Sequence, residues 1–96
     1  MTDQFEWDEH KAIANFRKRG ITFEEAMEAI ADPDSIVRRD EAHSQDEDRF
    51  QLIGFSSPSI LLVVFAERRG GRTYRIISAR RANRKEQHRY YEENLR

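Results

Sequence analysis

Arg80, Arg81, Arg84 and Lys85 gather within seven residues, and a single carboxylate, Glu86, closes the run. Cations packed this densely suit a phosphate-rich ligand, because a guanidinium fork matches two phosphate oxygens and keeps its proton at any physiological pH. One reaction that asks for such a set is the metal-free cleavage of RNA. There a ribose 2′-OH attacks the neighbouring phosphate, which requires a base near that hydroxyl, cations around the developing phosphorane, and help for the leaving 5′-oxygen.

The residue types allow those tasks to be distributed. Arg80, beside the start of the last helix, and Arg49, on a neighbouring strand, suit the phosphorane, with Lys85 one turn on closing the ring. Arg75, Arg81 and Arg84 extend the cationic surface for RNA binding, Arg81 also lying near the positive end of the helix. Lys11 and Lys18 are placed to steer phosphates along the first helix, although a solvated helix face is the plainer reading. Glu86 is the leading candidate for general base and His43 the runner-up, since histidine titrates near neutral pH, although a lone histidine among Asp40, Glu41, Asp46 and Glu47 reads more simply as a solvated bystander. Ala82, Glu86 and Tyr90 recur at i, i+4 and i+8, which turns Glu86 toward the body of the protein. A half-buried carboxylate demands a cation, and Arg49, Arg75 or Arg80 could supply it. The plainer alternative is a structural Glu–Arg pair pinning helix to sheet. Trp7 and Tyr90 read as packing residues, Tyr90 with its hydroxyl turned inward.

The elements that position these groups follow from pattern. Phe5 and Trp7 flank Glu6 in a very short strand, and Asp8 caps a helix over Glu9–Arg19 that stops at Gly20. Lys11, Asn15 and Lys18 share one side of that helix. Thr22 and Glu25 have the spacing of a capping box, opening a second helix that Asp32-Pro33-Asp34 ends. Strands follow over Ser35–Val37, from Phe50 to near Phe55, over Ile60–Ala66 and over Thr73–Ala79. Ser56–Ser59 and Arg69–Arg72 form the turns, and residues 40–48 a polar, acidic, mobile loop. The Ile60–Ala66 run is apolar on both faces and therefore central. The last helix is expected from Arg81 onward. The order predicts an α+β fold: a small antiparallel sheet with two N-terminal helices and one C-terminal helix.

Composition bounds the rest. The 96 residues, 38% hydrophobic and 36% charged, suit a single domain over residues 1–96 with a thin core. Cysteine is absent, which removes disulfides, thiolate nucleophiles and Cys-based metal sites. The three histidines show no ligand spacing, so no metal and no cofactor is expected. The start of the chain lacks the basic and apolar regions of a signal peptide and no run is long enough to span a bilayer, so a cytoplasmic protein without membrane partner is expected. The net charge of −1 conceals a division: residues 1–65 carry 7 Lys/Arg against 14 Asp/Glu, residues 66–96 carry 10 against 4. Such asymmetry points to a polyanion or an acidic protein as partner for the C-terminal part.

Phe5-Glu6-Trp7-Asp8, then Lys11, Asn15 and Lys18 before Gly20–Ala26, resembles the N-terminal signature of the BrnT family. Asp32-Pro33, His43-Ser44, Glu47 with Arg49, Gly54, and Arg75–Arg80 followed by Glu86 and Tyr90 continue the resemblance over nearly the whole chain. It implies a RelE-like fold and a ribonuclease toxin of a type II toxin–antitoxin system that arrests translation. It also implies neutralisation by a BrnA-type ribbon-helix-helix antitoxin, by analogy in a heterotetramer that touches DNA only through the antitoxin. The chain departs from the family pattern at Lys18-Arg19-Gly20, where a histidine commonly precedes the glycine. A second, non-enzymatic hypothesis stays open: a protein-binding module that acts with a DNA-binding partner in transcriptional autoregulation.

Overall fold

The computed structural model describes residues 4–95. Strand β1 (Gln4–Glu6) leads into helices α1 (Glu9–Arg19) and α2 (Phe23–Ala31), followed by strand β2 (Ile36–Arg39). Strands β3 (Arg49–Ser56), β4 (Ser59–Arg68) and β5 (Thr73–Arg81) come next, and helix α3 (Arg84–Asn94) ends the chain. Local signals set most of these bounds. Asp8 Oδ1 accepts the Lys11 N–H and caps α1, and Gly20 ends it at φ 73°, a conformation that costs a residue with a Cβ. Thr22 and Glu25 form the expected capping box of α2.

The strands form one sheet in the order β1-β5-β4-β3-β2. The apolar run in β4 does lie at its centre. The sheet is mixed, which corrects the expectation of an antiparallel one: Gln4, Phe5 and Glu6 pair in parallel with Thr73, Tyr74 and Arg75. The chain enters β5 from a distant turn, so its direction relative to β1 is set by the route of the whole chain rather than by any local pattern.

The helices are divided between the two faces of the sheet, a placement that the order of elements left unspecified. Alternation along β3 and β4 sends Leu52, Leu61, Val63 and Phe65 to one face and Ile53, Ile60 and Leu62 to the other. The first set packs with Phe23, Ala26 and Ala29 of α2, with Ala12 of α1 and with Trp7 beside it. The second packs with Ala82 and with Tyr90 of α3. Helices α1 and α2 therefore cover one face, and α3 covers only part of the other.

Two contacts fix α1 and α2 on their face. Asn15 treats β5 as a neighbouring strand would: its Oδ1 accepts the Ala79 N–H and its Nδ2 donates to the Ala79 carbonyl. The same Nδ2 donates to Ile21 O, so one amide satisfies three backbone groups beyond the reach of short β1. At Gly54, α2 lies so close to β3 that an added Cβ would collide with the Ala29 carbonyl oxygen. On the other face, Tyr90 donates to Asp32 Oδ2 at 2.6 Å and ties α3 to the end of α2.

Candidate active site

Strand register decides which arginines meet. On the α3 face, three rows cross the sheet. Glu6, Arg75, Ala66 and Arg49 stand side by side in the first. Ser78, Val64, Gln51 and Arg38 form the second, and Arg80, Leu62, Ile53 and Ile36 the third. Helix α3 packs over the third row, which leaves the first two open.

Arg75 joins this set because of a bulge. In β5, Ile76 pairs with Phe65 and Ser78 with Val64, so Ile77 has no partner of its own. Strict alternation would send Arg75 to the same side as Ala79. The extra residue returns it to the side of Ser78 and Arg80. Arg49 and Arg75 are then two strand spacings apart, about 10 Å, with only the methyl of Ala66 between them. Ala66 itself is fully buried, the surrounding side chains closing over its methyl, while Arg49 and Arg75 keep part of their surface exposed.

The cations of this face differ in their engagement. Arg75 Nη1 donates to Glu6 Oε2 at 3.3 Å. Arg80 makes a two-pronged pair with Glu86, Nη1 to Oε1 and Nη2 to Oε2, both at 2.9 Å. Among the described residues, the guanidinium groups of Arg38 and Arg49 have no hydrogen bond or ion pair. Arg49 is held instead through its backbone, its N–H donating to Ser44 Oγ and its carbonyl accepting from Asp40 N.

Those bonds bring the acidic loop to the edge of the basic face. His43 occupies a single 3-10 turn, Glu41–His43, with its Nδ1 3.0 Å from the Asp40 carboxylate. That carboxylate is 12% exposed while the imidazole is 66% exposed. An anchored Nδ1 leaves Nε2 facing solvent, the usual way an imidazole is oriented for proton transfer. The loop is not the unstructured tether its composition suggested, since Arg39 bridges Glu41 and Asp48 across it.

Glu86 finds the cation it was expected to need, and the partner is Arg80. Its carboxylate has further duties. Oε1 also accepts the Asn83 N–H, and Asn83 Oδ1 accepts the Glu86 N–H, making a capping box at the start of α3. Burial alone would raise the Glu86 pKa. The Arg80 fork and the Asn83 N–H outweigh it and hold the carboxyl below its ordinary value. Both oxygens are engaged and the group is a weaker base than a free carboxylate, unlike the expected general base.

The remaining candidates lie elsewhere. Helix α3 starts at Arg84, three residues later than expected, so Arg80 and Arg81 are strand residues rather than neighbours of a free helix N-terminus. Asn83 fills the cap. Arg81 pairs with Leu61 and so lies on the α1/α2 side of the sheet. Arg84 and Lys85 are exposed on the first turn of α3. Lys11 and Lys18 are exposed on α1, across the sheet from Arg49 and Arg75, whereas Asn15 turns inward between them. Arg38 and Gln51 escaped the sequence reading. Their signal was the alternation of β2 and β3, which becomes informative only once the paired rows are known.

Residues 7–86 match the family described as ribonuclease toxin, BrnT, of type II toxin–antitoxin system. The chain belongs to the BrnT family. The match begins at Trp7 and runs to Glu86, so it contains Arg38, Arg49, Arg75 and Arg80. BrnT membership makes the chain a ribonuclease toxin and implies RNA as substrate and an antitoxin as partner. No curated protein matches the chain significantly. Among the described residues no cluster of three or more His, Asp or Glu side chains is arranged to hold a metal ion. No described helix is long and apolar enough to cross a membrane.

Proposed function

We propose that this BrnT chain is a metal-independent endoribonuclease of RelE-like descent that cuts RNA on the open sheet face beside α3. The observation that carries the reading is the row of Arg75, Ala66 and Arg49, which sets two partly exposed arginines on one face with a buried alanine between their strand positions. A scissile phosphate that docks against the exposed parts of these two arginines receives donors from both. Those two forks meet the phosphorane as its charge develops, and Arg80, aimed by Glu86 in the third row, holds a neighbouring phosphate of the RNA.

In the reaction the 2′-oxygen bonds to phosphorus and the bond from phosphorus to the 5′-oxygen breaks. His43 Nε2 takes the 2′-OH proton and its imidazolium returns one to the leaving 5′-oxygen. A 2′,3′-cyclic phosphate and a free 5′-hydroxyl result, with atoms and charge balanced and no oxidant or cofactor required. Glu86 positions Arg80 in this scheme. Lys85 and Arg84 draw the RNA along the start of α3, and Arg81, Lys11 and Lys18, on the other side of the sheet, attract its flanks. A BrnA-type ribbon-helix-helix antitoxin inhibits by covering the same face, assembles with the toxin as a heterotetramer, and alone provides contact with DNA.

The test is incubation of purified, antitoxin-free protein with RNA in EDTA. Wild type cleaves. Arg49→Ala cuts more slowly by about 10²–10³, the usual cost of losing one preorganised donor to a developing oxyanion, while its circular dichroism stays that of wild type. Intact RNA in the presence of folded wild-type protein would overturn the enzymatic reading and leave a binding module.

A further inference from the structure

A cavity of about 270 Å³ adjoins the arginine rows, between the third row of the sheet and α3. Its floor is apolar, formed by Ile36, Ile53 and Leu62. Gln51 and Arg38 close it on the side of the open face. Glu86, Arg89 and Glu93, at i, i+3 and i+7 on one side of α3, form the opposite wall. The volume lies just below that of pockets for drug-sized ligands and suits one planar heterocycle.

We propose that this cavity is a nucleobase pocket selective for guanine, holding a base next to the phosphate seated between Arg49 and Arg75. The proposal rests on the ribonuclease reading of that face and names the base it accepts. The walls carry two arginines and two glutamates, so their charges balance, and a phosphate gains less here than beside Arg49 and Arg75. A neutral ring with strong donors and acceptors gains more. Guanine alone presents two adjacent acceptors, N7 and O6, on one edge and two adjacent donors, N1–H and the N2 amino group, beside them. Arginine forks match the first pair and a carboxylate the second.

The walls offer both, and their occupancy assigns the roles. Both Glu86 oxygens are already taken by Arg80 and Asn83. Glu93 has no hydrogen bond or ion pair among the described residues, so its carboxylate is the acceptor for N1–H and N2. Arg38 and Arg89 stand at the walls with no hydrogen-bonded acceptor of their own among the described residues, and one of them serves N7 and O6. The faces of the ring lie against Ile53 and Leu62.

The experiment titrates the four ribonucleoside 3′-monophosphates, and separately inorganic phosphate, into ¹⁵N-labelled full-length protein. Guanosine 3′-monophosphate should bind at least about tenfold more tightly than the other three and shift the amides of Ile36 and Gln51. Glu93→Gln, a change at an exposed position late in α3, should erase that preference and leave affinity for phosphate unchanged. If the four nucleotides bind alike, or if guanosine keeps its advantage in the variant, the pocket assignment fails. Weakening of all four nucleotides by Arg49→Ala would still uphold the phosphate site in that event. If neither phosphate nor any nucleotide binds, the pocket and the active-site reading fall together.

Discussion

The carboxylates that bind hardest here are held by donors rather than by depth. Asp32 would titrate higher through burial alone. The Tyr90 hydroxyl and the N–H groups of Asp34 and Phe55 outweigh that and lower its pKa, as Arg80 and Asn83 do for Glu86. Burial, followed by the Asp32 carboxylate it bonds, pushes Tyr90 far above the ordinary phenol value. A carboxyl whose folded pKa lies below its unfolded one adds stability in full above about pH 5. That stability drains away as pH falls through the unfolded value toward the folded one. Tyr90→Phe should therefore cost about 1 kcal/mol near neutral pH, the worth of one such hydrogen bond. The gap from wild type should narrow as pH falls below the ordinary carboxylate range toward the lowered Asp32 value, because protonation removes the charge that the hydroxyl stabilises. Urea midpoints across that range measure it. A gap independent of pH would mean that the tyrosine hydroxyl stabilises the fold through something other than the Asp32 charge.

At the scale of elements, short β1 creates a problem that α1 solves. It reaches only Thr73 to Arg75, and β5 continues to Arg81 with its outer edge uncovered. The Asn15 amide takes the place of a missing strand residue at Ala79. Asn15→Ala would strand the Ala79 N–H and carbonyl and the Ile21 carbonyl, each costing about 1–3 kcal/mol if left dry. The expected outcome is a midpoint lowered by at least about 2 kcal/mol with an unchanged denaturant slope, and faster hydrogen exchange at Ala79. Unchanged stability would show that water replaces the amide without loss. Caps and helix ends were legible in the residues that make them, as Asp8, Thr22 with Glu25, and Gly20 show. The start of α3 was not, because Arg80 and Arg81 read equally well as helix or strand. Only the competition between their pairing with β4 and the Asn83 cap settles it.

On the scale of the whole molecule, the division between an acidic first part and a basic last part folds into something subtler. Acidic side chains rim or pair with the basic face: Glu6 with Arg75 and Arg68, Glu47 with Arg68, Glu86 with Arg80. Part of the charge is thus neutralised internally, while Arg38 and Arg49 remain for an outside anion. With about three phosphates engaged on single-stranded RNA, log affinity should fall against log salt with a slope near −2, and Arg49→Ala should make it shallower by about 0.7. Fluorescence anisotropy with a labelled oligoribonucleotide under non-cleaving conditions measures both slopes. A flat dependence would exclude phosphate contacts by these arginines.

Sequence alone settled what short stretches of chain can settle: the succession of strands and helices, the caps, the central place of Ile60–Ala66, and a surplus of cations toward the C-terminus. Those depend on residues a few positions apart. The placement of Arg38, Arg49, Arg75 and Arg80 on one face depends on register among strands distant in the chain, and the bulge at Ile77 reverses the side on which Arg75 emerges. Nor could spacing tell that Glu86 would spend both oxygens on Arg80 and Asn83. Hydrogen bonding saturates, and which donor reaches a carboxylate first is decided by packing in three dimensions.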